Sequence, residues 1–301
     1  MPSPSRFSGA SMAQATATPG RDAPDQQSTS PLQAVEHIRR MRGGARAQLM
    51  RCSDGHCYVV KFQNNPQDRR VLANELLGTQ LARLLGLPTA TPAIVYISED
   101  LIRMTDELRV EYPRWLRGCS RSGPQFGSRY IGDWRRCVAL DILSDNLLRG
   151  VENLKTFAGM LVFDKWTCNT DGRQVVFQRK NQRYEAVMID QGFCFSSGDW
   201  AFPDAPLRGR YARTCVYDGI RGIDDFEPWL SRLESQIGEH AIWGCGAEIP
   251  PEWYESDSDA LAHLLETLNK RRSKVRELLW SIRGCKDFLR TWVERTVVAA
   301  D

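Results

Sequence analysis

A lysine inside an apolar strand, a glutamate on the inward face of a helix and two aspartates flanking a hairpin are the residues here whose types and order could do chemistry. Lys61 sits in CYVVKFQNN, sharing a strand face with Cys57 and Val59 while Tyr58, Val60 and Phe62 face the other way. Glu75 sits in NELLGTQL. Its helical neighbours are Val71, Leu72, Gly78 and Thr79, a small and apolar stripe instead of a solvated face. A carboxylate aimed at packed structure is costly without a partner, and Lys61 is the candidate. Asp171, in NTDGRQ, and Asp190, in MIDQGF, bracket a strand–turn–strand segment. Behind the paired glycines Gly43 and Gly44, this set suits phosphoryl transfer. That reaction asks for a glycine turn over the phosphates, a lysine on them, and carboxylates to hold magnesium and orient the attacking hydroxyl.

Those residues need elements to place them. From Leu32 the pattern predicts a short helix over QAVEHIRRM, then the glycine turn. Two strands follow, AQLMRCS and HCYVVKF, joined by Asp54-Gly55, the strongest short hairpin signal. DRRVLANELLGTQLARLLGLP predicts a helix of about five turns closed by Gly86 and Pro88, with Leu76, Leu77, Leu81, Leu84 and Leu85 as its apolar stripe. TPAIVYIS and QFGSRYIGD read as further strands. From Ile131 the character turns helical, over RRCVALDILSDNLL and then ENLKTFAGMLVFDKW. CNTDGRQVVFQRKNQRYEAVMIDQGFCF reads as loop, strand, turn, strand and loop. A long helix over DSDALAHLLETLNKRRSKVRELLWSIRG ends at Gly284. Trp200, Phe202, Tyr211, Trp229, Trp243 and Trp253 are assigned to the core. The expected fold class is α+β and bilobal: a disordered tail over 1–31, a β-rich lobe with one main helix over 32–130, and a mostly helical lobe over 131–301.

GGARAQLMRCSDGHCYVVKFQNNPQ, NELLGTQLARLLGLP, FDKWTCNTDGRQ and MIDQGFCF together resemble the HipA-like kinase family, a branch of the protein-kinase-like fold. The resemblance runs from about Leu32 to the terminal helix. It implies an ATP- and magnesium-dependent phosphotransferase; a protein serine or threonine hydroxyl is the acceptor that the family suggests, and a small-molecule acceptor stays open. Lys61 would contact the α- and β-phosphates, Glu75 would orient Lys61, Asp171 would be the catalytic base and Asp190 would hold the metal. Kinase catalytic loops carry an asparagine five residues after the aspartate, and Val176 stands there. Gln174 is the nearest downstream amide and could give magnesium a carbonyl oxygen. A second register remains open, since Asp164 has Asn169 at the kinase spacing. Arg42 and Arg46 flank the glycine turn, either meeting phosphate or lying on a solvated basic turn.

Composition narrows the alternatives. In 301 residues of net charge +3, 42% are hydrophobic and 26% charged, an ordinary globular balance with no strong pull toward nucleic acid or membrane. No apolar run reaches the ~18 residues of a membrane span. Nine scattered cysteines without a Cys-x-x-Cys pair fit reduced thiols in the cytoplasm, and four isolated histidines give no metal cluster. A nucleotide-binding module with lost transfer activity is the competing function. Nucleic-acid binding through RRMRGGARAQ ranks last, because that stretch lacks interleaved aromatics. The Ser-, Pro- and Gly-rich tail has no apolar surface to join a core. Deleting residues 1–30 is therefore expected to leave the far-UV helix signal and any nucleotide-dependent thermal shift unchanged; loss of folding would show that the tail packs.

Overall fold

The computed structural model describes residues 31–108, 122–136, 139–205, 207–285 and 287–292. The tail expected over 1–31 lies outside them, save for Pro31. Strands β1 (Ala34–Arg40), β2 (Gln48–Cys52) and β3 (Cys57–Lys61) form an antiparallel meander. The Asp54-Gly55 hairpin forms as predicted, with Gly55 at φ 79° and Asp54 accepting from His56 N (3.0 Å) and Tyr58 Oη (2.8 Å). Helix α1 (Val71–Leu84), strand β4 (Pro92–Ile97), helix α2 (Glu99–Met104) and strand β5 (Gly123–Arg129) follow. The five strands lie in the order β1-β2-β3-β5-β4. The sheet curls until Tyr96 N donates to Leu32 O at 2.8 Å, which covers backbone that two free edges would expose.

The expected helix over QAVEHIRRM is strand β1. Helix propensity is a weak prior, and an open edge of the β2–β3 hairpin pairs with this segment through two register shifts. The chain from Ile131 is also less helical than expected. Residues 137 and 138 lie outside the described ones; β6 (Ala139–Leu140) pairs with the downstream hairpin, and the helix shrinks to α3 (Asp145–Arg149). Helix α4 (Thr156–Trp166) then leads into strands β7 (Gln174–Lys180) and β8 (Arg183–Ile189), giving a second sheet in the order β6-β7-β8. Short α5 (Trp229–Ser231), α6 (Glu239–Ala247), α7 (Ser258–Arg271) and α8 (Val275–Ser281) complete a helical C-terminal part. The predicted long terminal helix breaks at a 3-10 turn over Arg272–Lys274. There Arg271 turns inward to donate to the C-terminal carbonyls of α4, at Lys165 O (3.2 Å) and Trp166 O (3.1 Å). The class is α+β, with an antiparallel sheet first and helices after it.

Two apolar clusters flank the first sheet. Tyr58, Val60 and Phe62 point into one, with Met50, Val95 and Ile97. Phe126, opposite Lys61 in the β3–β5 register, points into the other, where α1, α4 and the C-terminal helices share a continuous core. Leu76, Leu77, Leu81 and Leu85 of α1 are buried there, whereas Leu84 rolls to the surface at 41% exposure. Of the aromatics assigned to the core, Trp200, Trp229 and Trp253 are buried and Phe202 and Tyr211 pack against it. Trp243 lies on the solvent face of α6 at 37% exposure.

All seven described cysteines are free thiols. Burial pushes Cys52 and Cys194 up to about 12 and Cys245 up to about 11, from an ordinary 9.0. An unfolded thiol releases its proton near pH 9, so above that point the folded chain binds more protons. The stabilisation is complete below pH 9 and is lost as pH climbs toward the folded values. The melting temperature is expected to fall steadily between pH 9 and 11 in calorimetry; a flat profile would mean that these thiols ionise as freely folded as unfolded.

Candidate active site

Lys61 ends β3 on the face that α1 covers, and its ammonium meets two carboxylates. It forms a salt bridge with Glu75 and donates to Asp190 Oδ1 at 2.9 Å. Glu75, on the second turn of α1, is 2% exposed. Its oxygens also accept backbone N–H bonds from Gln191 (2.9 Å) and Gly192 (3.1 Å). One carboxylate thus ties strand, helix and the Asp190-Gln191-Gly192 turn together. The approach is close at a glycine on each side, and closest at Gly78. A Cβ on Gly78 would lie 2.8 Å from Gln191 Cβ, and one on Gly192 would lie 3.2 Å from Glu75 Oε1. Asp190 itself takes φ 60°, an uncommon left-handed value for a non-glycine residue.

The charges respond to this packing. Burial by itself would lower the Lys61 ammonium, but the carboxylates of Glu75 and Asp190 outweigh it and hold the group above its ordinary range. Burial would raise Asp190, and the Lys61 ammonium more than offsets it, so Asp190 lies below the usual carboxylate value. Burial pushes Glu75 up, to about 7, against the pull of Lys61. The lysine is therefore a fixed cation facing an ionised Asp190.

The two registers left open by the sequence have different surroundings. Asp164, on α4, is 2% exposed, and both its oxygens are occupied. Arg173 pairs with it through Nε (3.0 Å) and a terminal nitrogen, and Asn169 donates to it at 3.0 Å. Asn169 in turn accepts from Asp171 N at 3.1 Å, so its amide is spent inside the loop. The Asp171 carboxylate is at the exposed end of that loop, accepting from Gly172 N at 2.7 Å. Arg173 also donates to Ile189 O (3.0 Å), Asp190 O (3.2 Å) and Gln191 Oε1 (2.9 Å), clamping the loop to the Asp190 turn. Gln174 is exposed at the start of β7, opposite Ile189. Gly43, at φ 115°, and Gly44 form an exposed turn, which Asn65 Nδ2 anchors at Ala45 O (3.4 Å). Arg42 is exposed and Arg46 half-buried on this turn. The structure thus brings Lys61, Glu75 and Asp190 into contact. Among the described residues no hydrogen bond joins Asp171, Gln174 or the glycine turn to that trio.

Arg173 is the residue that reading the sequence for acids and lysines passed over. The signal was available, since Arg173, Val175 and Phe177 share one face at a two-residue period and all are buried. Asn74 was missed in the same way, although it lies on the helix face of Val71 and Gly78.

A model of the HipA-like kinase family matches residues 34–199, more than half of the chain. The chain belongs to the HipA-like kinases. None of the curated proteins matches its sequence. Among solved structures, this HipA-like kinase is similar to the Helicobacter pylori proinflammatory kinase CtkA at TM-score 0.51 and 12% identity, over 82% of this chain and 94% of that one. It is also similar to hydra Fam20 with sugar, at TM-score 0.52 and 11% identity, over 89% of each chain. At these identities the likeness is one of fold, and the fold is kinase-like.

The buried Asp164–Arg173 pair predicts a stability result for this HipA-like kinase. Removing one partner of a buried pair costs about 3–5 kcal/mol. Arg173→Met is accordingly expected to lower the melting temperature by roughly 6–20 °C. Asp171→Asn, at an exposed site, is expected to shift it by no more than about 2 °C. Equal shifts in the two variants would refute the assignment of roles.

Proposed function

We propose that the chain is an ATP- and magnesium-dependent kinase that transfers the γ-phosphoryl group to a serine or threonine hydroxyl of a protein. The observation that carries this reading is the Lys61 ammonium fixed between Glu75 and Asp190 beside a loop whose one exposed aspartate is Asp171. In this reading Lys61 pairs with the α- and β-phosphates, and Gly43 and Gly44 cover them. Asp171 accepts the proton of the acceptor hydroxyl as its oxygen bonds to the γ-phosphorus and the bond to ADP breaks. Support for Asp171 over Asp164 comes from the full occupation of both Asp164 oxygens.

The donor set fits magnesium brought in with nucleotide. Magnesium takes one or two carboxylates and fills its octahedron with phosphate oxygens and water. The Asp190 carboxylate takes Lys61 at Oδ1, and among the described residues no group of three or more His, Cys, Asp or Glu could cage a metal alone. Asp190 and Gln174 would hold the ion, which when bound neutralises charge on the β- and γ-phosphate oxygens.

A lobe boundary near residue 131 is proposed, between the sheet that carries Lys61 and the second hairpin, which Asp171 and Asp190 flank. A cytoplasmic site is proposed on the strength of the free thiols. No helix among the described residues is long and apolar enough to cross a membrane. A second reading, a nucleotide-binding module without transfer, is favoured by Val176. It occupies the position of the second metal amide and is paired with Val187 inside β7–β8.

Melting curves and γ-labelled ATP separate the two. ATP with magnesium at about 100-fold over Kd is expected to add roughly 2.7 kcal/mol of stability, or about 5–10 °C. Asp171→Asn is expected to keep that shift and to cut transfer by about 10²–10⁴-fold. Asp190→Asn is expected to lose the magnesium-dependent part of the shift itself. Transfer that survives Asp171→Asn but disappears in Asp164→Asn would reverse the register. A thermal shift with no label on any protein would favour the binding module.

A further inference from the structure

The segment after the Asp190 turn is gripped from one side by α1 and the residues that lead into it. Asn74 is fully buried, at 0% exposure. It donates from Nδ2 to Gly192 O (2.9 Å) and Ser197 O (2.9 Å), and it accepts at Oδ1 from Trp200 Nε1 (2.8 Å). All three bonds go to one short stretch of chain. Asp68 accepts from Gly198 N (3.1 Å) and Ser197 Oγ (3.2 Å). Arg70 donates to Gly198 O (3.1 Å) and places its guanidinium 4.2 Å from the centre of the Trp200 ring.

The stretch they hold would not keep its shape alone. Phe195, Ser196, Ser197 and Trp200 all have left-handed φ, between 51° and 62°. Such values are unfavourable in residues with a Cβ and persist only where the surroundings over-determine them. Gly198 admits no side chain, since a Cβ there would lie 2.1 Å from Asp68 Oδ1. Here the determinant is polar and comes from the helix that carries Glu75. The next residue of that helix along from Asn74 is Glu75, whose oxygens hold the N–H groups of Gln191 and Gly192, while Asn74 holds the Gly192 carbonyl.

We infer that Asn74 is a positioning residue for the phosphoryl transfer proposed above, acting through the Gly192 carbonyl on Asp190 and through Trp200 on the segment beyond. The inference rests on that reading for its catalytic consequence and on geometry alone for the clamp. With Asn74 in place, α1, Lys61 and the Asp190 turn form one assembled unit.

The test is amide hydrogen exchange on the full chain without nucleotide or metal, followed by kinetics. In Asn74→Ala, exchange of peptides spanning 190–200 is expected to quicken roughly tenfold or more, the scale at which outer supports act on a site. Peptides of α7 should keep their protection. Trp200→Phe removes the indole N–H together with part of the ring and leaves the Asn74 bonds to Gly192 and Ser197 in place; it is expected to quicken the same peptides by less, and it serves if Asn74→Ala fails to fold. Gly246→Ala is the control for general destabilisation, because its Cβ would lie 2.5 Å from Leu265 Cδ1. It should quicken α6 and α7 and leave 190–200 unchanged. In the transfer assay Asn74→Ala should lower kcat and raise the half-saturating magnesium concentration, each about tenfold, while Gly246→Ala leaves the magnesium requirement unchanged. Unaltered protection over 190–200, or acceleration spread evenly along the chain, overturns the clamp. Lost protection with an unchanged magnesium requirement overturns the positioning role. If the wild type transfers no phosphate at all, the functional reading fails, and the exchange data still decide the clamp.

Discussion

A single buried carboxylate organises this protein. Glu75 is out of water, and a charge there is tolerated only with partners on every side. It finds them in the Lys61 ammonium and in two backbone N–H groups of the Asp190 turn. Each partner belongs to a different part of the fold. Lys61 ends a sheet strand and Gln191-Gly192 follows the second hairpin, while Glu75 lies on the helix between them. The helix must therefore lie against both, and it does so most closely at Gly78, where a Cβ would overlap Gln191, and tightly at Gly192.

From that point the charge pattern continues by relay. Asp190 shares Lys61 with Glu75, and Arg173 holds the carbonyls of Ile189 and Asp190 while its other side is committed to Asp164. Two sets of charges are thereby linked: Lys61 with Glu75 and Asp190, and Arg173 with Asp164, the two joined through the backbone carbonyls of the Asp190 turn. This chain of pairs leaves Asp171 outside it, at the exposed end of its loop. A group meant to receive a proton from a bound hydroxyl gains from such freedom, because no arginine already occupies its oxygens. The buried acid is a tether, and in the proposed reading the exposed one is the proton acceptor.

How much of this was legible in the sequence depends on which physical effect ruled each stretch. Lys61 and Glu75 could be read because both violate an otherwise clean apolar periodicity, and a violated pattern is informative. The Asp54-Gly55 hairpin could be read because its backbone geometry is local. Strand β1 could not, because its state is decided by the free edge of a hairpin that comes later in the chain. The break before α8 has the same origin, since Arg271 finds α4 carbonyls about a hundred residues upstream. Between Asp164 and Asp171 two signals were legible: spacing favoured the first, and loop position, which decides the reading, favoured the second. The Arg173 pairing that occupies Asp164 supports the same choice and was not visible in the sequence. Asn74 stayed hidden because asparagine among leucines looks like an indifferent helix residue until its three partners are in view.

The strand order of the first sheet carries a consequence for how the chain assembles itself. Strand β5 lies between β3 and β4, although it is made after both. While the nascent chain emerges, the β2–β3 hairpin can form early, but β3 then exposes an unpaired edge and β4 has only the Leu32–Gln33 backbone to dock beside. Both wait for Gly123–Arg129 to be synthesised. Until then the apolar face of Tyr58, Val60 and Val95 is only partly covered. Pairing of this non-local kind is slow and leaves strand edges open to other chains. The Lys61 strand is thus most vulnerable to aggregation during synthesis, before the strand that covers its open edge has emerged.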